Sequence, residues 1–98
     1  MVEVRRTEEF SQWVRSIDTQ TRARVLNRID RLRLGNPGDV KPVGGGISEM
    51  RIKYGPGYRV YFVRFGASIV VLLCGGSKAT QSKDIERAKR LAETLEPI

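Results

Sequence analysis

The sequence predicts a small α+β domain in the order β-α-α-β-β-β-α, with a helical pair packed on one face of a mostly antiparallel sheet. Three observations support this fold class. Apolar residues recur at helical spacing in two segments near the start and one near the end of the chain. The stretch EMRIKYGPGYRVYFVR alternates on both sides of a glycine-proline-glycine loop, and SIVVLLC is an unbroken apolar run. Helices before and after such strands are typical of α+β domains.

The first third of the chain predicts a short strand and then two helices. Val2 to Arg6 alternates like a strand, and Thr7 before two glutamates resembles a helix cap with acidic first-turn residues. Asp18 ends this helix and can cap the next, which is expected to run from Arg22 to Leu34. The apolar face of the first helix consists of Phe10, Trp13, Val14 and Ile17.

The remaining elements follow from glycine positions and apolar runs. Gly44–Gly46 are expected to prevent a regular element between Asp39 and Ser48. The apolar run Ser68–Cys74 predicts a central strand buried on both faces, and Gly75–Gly76 are expected to end it. Ser82–Leu95 carries apolar residues at helical spacing and predicts a final helix.

The hairpin pattern gathers positive charge on one face of the sheet. A loop of Gly55–Gly57 would pair Lys53 with Arg59 and Arg51 with Tyr61. Because side chains alternate across a strand, these four residues point to the face opposite the apolar one. Like charges placed directly opposite destabilise a sheet, so the pattern favours an anionic partner such as phosphate.

A second hairpin would bring a fourth cation to this face. A two-residue turn at Gly66-Ala67 would place Arg59 opposite Cys74 and bring the loop with Lys78 beside it. Such a patch could hold a phosphodiester backbone and stack a base on its tyrosine, although an ordinary solvated strand face remains an equal alternative from spacing alone. The predicted patch consists of Arg51, Lys53, Arg59, Lys78 and Tyr61.

Composition narrows the function classes. We expect residues 1–98 to form one domain, and the net charge of +7 with a pI near 10.2 favours nucleic acid or an acidic protein as partner. No apolar run is long enough to span a bilayer and the start is charged, so we expect a cytoplasmic protein without membrane contact. One cysteine and no histidine exclude the usual zinc and Ser-His-Asp constellations.

Other conspicuous residues have more ordinary explanations. The glycine pairs lack the spacing of a P-loop or dinucleotide fingerprint and are expected to form turns. Trp13 is expected in the core, and Cys74 is expected to be inert packing. The arginines of the second helix are interleaved with acids and are interpreted as a solvated helix face, with secondary contacts to nucleic acid at most.

The segment ISEMRIKYGPGYRVYFVRFGASIVVLLCGGSKATQSKDIERAKRLAE resembles the RelE/ParE superfamily of bacterial toxins. It is most similar to the addiction module killer proteins, through its GPGYRVYF and GGSKATQ elements, and the resemblance covers nearly the whole chain. The resemblance implies a toxin held inactive by an antitoxin from the adjacent gene, often a helix-turn-helix DNA-binding protein. It also implies cleavage of mRNA on the ribosome, without a metal or other cofactor.

The resemblance also implies roles for individual residues. Arg59 is expected to contact the scissile phosphate, with Lys53 and Lys78 as further catalytic cations. Lys53 could act as the base if neighbouring Arg51 and Arg59 favour its neutral form. Lys83 lies in the region where several nucleases of the family carry a tyrosine or histidine, which leaves the proton donor unassigned, with Lys53, Tyr61 and Lys78 as candidates for proton transfer. The expected RNA-binding residues are Arg51, Tyr61 and Lys83.

Two other functions remain open at this point. The ParE branch shares the fold, lacks the nuclease residues and inhibits DNA gyrase. A module that binds nucleic acid or an antitoxin without any activity is the other alternative. The basic residues on the hairpin favour RNA cleavage over both.

Overall fold

The computed structural model describes residues 1–95 and has the predicted α+β class. Its five strands form one sheet in the order β1-β5-β4-β3-β2, in which β1 runs parallel to β5 and the other neighbours are antiparallel. A single 3₁₀ turn, Lys78–Thr80, precedes the last helix. The elements are β1 (Glu3–Arg6), α1 (Glu8–Ser16), α2 (Thr19–Arg33), β2 (Val40–Gly44), β3 (Ile47–Ile52), β4 (Tyr58–Phe65), β5 (Ile69–Ser77) and α3 (Gln81–Glu93).

The strand β2 was not expected, and the prediction that glycines would prevent a regular element here is wrong. β2 pairs antiparallel with β3 at the edge of the sheet. Gly44, Gly45 and Gly46 all have positive φ, so they form the tight turn into β3 and leave the residues before them extended. Val40 and Val43 anchor the strand, because their side chains pack against the cores on opposite faces of the sheet.

The helical pair lies on one face of the sheet, as predicted. The Thr7 hydroxyl caps α1 by accepting a hydrogen bond from the Phe10 backbone N–H. Helix α2 begins at Thr19, three residues before the predicted start, because Asp18 serves as its N-cap residue. The Arg22 guanidinium donates to the carbonyls at the end of α1, so this arginine joins the helices instead of lying on a solvated face. The buried helix residues of this core are Phe10, Val14, Val25, Ile29 and Leu32.

Helix α3 covers the opposite face, and β5 runs between the two cores. The central residues of β5 are buried, as predicted. However, β5 is not the central strand, because β4 occupies the middle of the sheet. The prediction that Gly75 and Gly76 end this strand is wrong, because both lie inside it. A Cβ on Gly75 would lie 2.3 Å from the Trp13 ring, and one on Gly76 would lie 1.8 Å from Asp84 Oδ2. The glycines therefore let α1 and α3 approach the strand, and Trp13 packs against the core as predicted.

Both hairpins differ in register from the prediction. Ile52 pairs with Tyr58, so the loop between β3 and β4 has five residues and Arg51 lies opposite Arg59. The observed pairing is shifted by two residues from the predicted one. Because side chains alternate with a period of two, the strand residues keep their predicted faces. In the next hairpin, a three-residue turn and a bulge after Tyr61 place Arg59 opposite Gly76, not Cys74.

Cys74 is buried and we expect it to be unreactive in the folded protein. Burial raises the pKa of its thiol from 9.0 to about 11, with Arg87 partly opposing the shift and Asp84 adding to it. The thiolate is the reactive form, so alkylation at pH 8 should be about 100-fold slower in the folded than in the unfolded protein. Iodoacetamide labelling followed by mass spectrometry, with and without denaturant, measures this ratio. Equal rates in the two states would contradict the burial of this thiol.

Within the part of the chain that the structure describes, no helix is both long and apolar enough to cross a membrane.

Candidate nucleic-acid interface

A basic cleft lies at the end of the sheet where β3 and β4 are joined. The loop of residues 53–57 forms one wall, and Lys78 closes the other side by donating its backbone N–H to the Gly57 carbonyl at 3.0 Å. The cleft has a volume of about 400 Å³. We call it the hairpin cleft. Its lining residues are Arg51, Ile52, Lys53, Tyr54, Gly55, Pro56, Gly57, Tyr58, Arg59 and Lys78.

Two arginines that line this cleft face each other directly across neighbouring strands. Arg51 on β3 pairs with Arg59 on β4, an arrangement that would destabilise the ladder by itself. A carboxylate two residues before Arg51 offsets the repulsion: Glu49 Oε1 lies 3.2 Å from Arg51 Nε, and Glu49 Oε2 lies 3.5 Å from Arg59 Nε. Both arginines therefore approach one anion through Nε, which leaves their terminal nitrogens for other partners.

Glu49 is fully buried and was missed by sequence reasoning. Besides the two arginines, it accepts hydrogen bonds from the Tyr61 hydroxyl at 3.2 Å and from Gln81 Nε2 at 2.7 Å. A buried carboxylate is stable only when it is paired and hydrogen-bonded in this way. The alternation of EMRI places Glu49 on the same face as Arg51, and this is the one sequence signal for its role.

Arg59 is the most desolvated cation of the hairpin cleft. Its side chain is only 12% exposed, and within residues 1–95 its buried Nε has no hydrogen-bond partner, since the Glu49 contact is an ion pair without hydrogen-bond geometry. A charge held in a poorly solvated position interacts more strongly with an incoming anion than an exposed one does. Arg59 is thus held by the fold in a poorly solvated position at the cleft, although Glu49 partly compensates its charge.

Tyr61 lies beneath the cleft and does not line it, so its predicted role as a base-stacking RNA contact is wrong. Its side chain is fully buried, and its hydroxyl donates to Glu49. Burial raises the pKa of the Tyr61 phenol strongly, and the negative charge of Glu49 adds to the effect. The phenol therefore stays neutral and helps to hold Glu49 in place.

The three lysines of the prediction lie in different settings. Lys53 was predicted to lie on a strand opposite Arg59. In the structure it lies in the exposed loop, where it still lines the hairpin cleft. Lys78 begins the 3₁₀ turn and lines the same cleft. Lys83 lies one turn into α3 and lines a separate cleft with Lys78 and Gln81. The structure therefore brings Arg51, Lys53, Arg59 and Lys78 together, whereas Lys83 lies apart.

No group of three or more histidine, cysteine, aspartate or glutamate residues within residues 1–95 is arranged to hold a metal ion. The chemistry that this cleft offers is electrostatic. Four cations above one buried carboxylate can bind a phosphate group and stabilise additional negative charge on it.

Comparisons with known proteins give a matching family profile, a close relative and a solved structure of similar fold. Residues 12–95 match the sequence profile described as phage derived protein Gp49-like. A relative in Haemophilus influenzae, described as an uncharacterized protein, is 44% identical over 95 residues, which is 96% of each chain. The solution structure of the conserved hypothetical protein HP0894 from Helicobacter pylori superposes with a TM-score of 0.54 at 21% identity, and covers 81% of this chain and 97% of its own. At that identity, the likeness to HP0894 concerns the fold.

Proposed function

This chain belongs to the Gp49-like family of phage-derived proteins, and we propose that it is the toxin of a type II toxin-antitoxin system, of the RelE/ParE kind, that cleaves mRNA on the ribosome. One observation carries the proposal. The desolvated guanidinium of Arg59 is held by a buried carboxylate at a cleft whose rim carries three further cations. Such preorganised positive charge is what transition states of phosphoryl chemistry require.

The proposed reaction needs only groups of the chain and the RNA itself. The 2′-hydroxyl oxygen of one nucleotide attacks the adjacent phosphorus, and the bond from phosphorus to the 5′-oxygen breaks. The products are a 2′,3′-cyclic phosphate and a free 5′-hydroxyl. Arg59 binds the phosphate and, with Arg51, stabilises the extra charge of the pentavalent transition state.

Two protons must move, and two lysines line the cleft. We propose that Lys53 acts as the base that takes the proton of the 2′-hydroxyl. Lys78, on the other side of the cleft, then donates a proton to the departing 5′-oxygen. Tyr61 takes no part in this scheme, because it is buried beneath the cleft and its hydroxyl is bound to Glu49.

The proposed partners are those that the resemblance to RelE/ParE toxins implies, and the charge of the protein is compatible with them. A cytoplasmic toxin with a net charge of +7 suits the ribosome and mRNA. The cognate antitoxin, which we propose to be a helix-turn-helix protein encoded beside it, would neutralise the toxin by placing acidic residues over the hairpin cleft.

The test is to express the protein in a translation extract and map the ends of the mRNA. We expect new 5′-hydroxyl ends within translated codons, and their loss in the Lys53→Ala variant. The matched control is Arg64→Ala, which removes an exposed cation from the same strand as Arg59 but away from the cleft. Intact message during translational arrest would overturn the proposal, and inhibited gyrase supercoiling in the same samples would favour the ParE-like alternative.

A further inference from the structure

A second basic cleft adjoins the first. It lies between α2 and the end of β3, has a volume of about 340 Å³, and we call it the helix cleft. The segment 51–53 lines both clefts, so the two clefts adjoin along this segment. Its lining consists of Arg24, Asn27, Arg28, Arg31, Asp39 and the shared segment 51–53.

The helix cleft concentrates positive charge that the fold neutralises only in part. Among the residues of the described chain that line it, Asp39 is the one acid, against five lysines and arginines, of which Arg51 is already paired with Glu49 below the cleft. The pKa of Arg28 is lowered by burial first and by the nearby charge of Arg31 second, while Asp39 partly opposes this. Cations that repel one another in a cleft cost stability, which a bound anion would recover.

Two of these arginines are held in place. Arg28 donates to the carbonyls of Pro37, at 3.0 Å, and Arg51, which ties α2 to the end of β3. The guanidinium of Arg24 stacks on the Tyr54 ring, with 4.1 Å between its central carbon and the ring centroid. Arg31 is exposed on the same helix, one turn after Arg28. Two of these three guanidinium groups, those of Arg24 and Arg28, are therefore preorganised beside the segment 51–53.

We propose that the helix cleft binds the phosphate backbone of the RNA strand where it continues beyond the scissile phosphate held in the hairpin cleft. This inference rests on the proposed function, because it assigns a path to the same substrate. Two features favour RNA over an acidic protein segment. The cleft shares the segment 51–53 with the site that would hold the scissile phosphate, and Ile52, its one aliphatic lining residue, is buried and offers no anchor for a peptide side chain.

The proposal predicts that the contribution of the helix cleft appears only with RNA long enough to reach it. The probes are 2′-O-methyl RNAs of about three and about ten nucleotides, which cannot be cleaved, with affinity measured by fluorescence anisotropy over a range of salt. In the double variant Arg24→Ala, Arg31→Ala, the slope of log affinity against log salt should fall by up to about 1.4 for the long RNA and stay unchanged for the short one. Asp39→Asn should tighten the long RNA only.

The matched control is the double variant Arg64→Ala, Arg90→Ala, which removes the same charge from exposed positions outside both clefts. An unchanged slope for the long RNA in the helix-cleft variant, or an equal fall in the control, would overturn the proposal. Weakened binding of a polyglutamate peptide with unchanged RNA binding would assign the cleft to an acidic protein instead and would equally overturn it. Failure of the proposed function can be distinguished from failure of this proposal, because the former appears as intact message when the wild-type protein is added to the translation extract.

Discussion

Replacing Arg59 by alanine is expected to lower the rate of RNA cleavage by about 10² to 10³ while the protein stays folded. The size of the effect is that of losing one preorganised charge contact to a transition state. The fold should survive, because Glu49 keeps its contacts with Arg51, Tyr61 and Gln81. The measurement is the rate at which mapped mRNA ends appear in a translation extract, with circular dichroism as the check on folding.

The conservative variant separates charge from geometry. Arg59→Lys keeps a positive charge but lacks the planar fork of the guanidinium, so we expect it to recover only part of the activity. Arg64→Ala on the same strand should cleave at the wild-type rate. A folded Arg59→Ala protein with unchanged activity would remove this arginine from the proposed site.

Replacing Glu49 by alanine is expected to destabilise the protein by about 3 kcal/mol. The carboxylate is fully buried and is the shared partner of two arginines that face each other across β3 and β4. Without it, the arginines repel each other, and the buried hydroxyl of Tyr61 loses its partner. Urea denaturation measures the change as a lower midpoint at an unchanged slope.

Two further variants test the reason for this loss. Glu49→Gln keeps the shape and an acceptor oxygen, so its stability should lie between those of the wild type and the alanine variant. Glu86→Ala removes an exposed carboxylate from α3 and should change the stability by less than about 0.5 kcal/mol. A Glu49→Ala protein as stable as the Glu86→Ala control would show that the arginines do not need this carboxylate.

The face on which each hairpin residue lies was predictable, although the pairing was not. The predicted register placed Arg51 opposite Tyr61, whereas the structure places it opposite Arg59. Because side chains alternate with a period of two, a shift of two residues leaves the residues that remain on the strands on their predicted faces, while Lys53 moves into the loop. The shift arose from loop length. A glycine-proline-glycine sequence predicts a turn, but the number of residues in it depends on how the loop contacts Lys78, which lies far away in the sequence.

The depth of each side chain below the surface was not predictable. The alternation of the sequence assigns Tyr61 and Glu49 to the polar face of the hairpin. From that assignment we expected an exposed tyrosine and no particular role for the glutamate. In the structure, α3 packs over this face, and Gln81 at its start reaches Glu49. That placement buries both residues, and it depends on the small size of Gly76, beside which the Asp84 carboxylate of α3 lies.

The sequence by itself determined the class of the fold, the two-faced hairpin and the concentration of positive charge on one of its faces, because periodicity and charge are local properties of a chain. The tertiary structure decided which cations share a cleft and which residues lie beneath it. Tyr61, which was predicted to stack a base, is buried, and the buried carboxylate of Glu49 holds two arginines at the hairpin cleft. The arginines of α2 lie beside the segment 51–53 of the same cleft. Those features depend on contacts between residues distant in the chain, which no local pattern encodes.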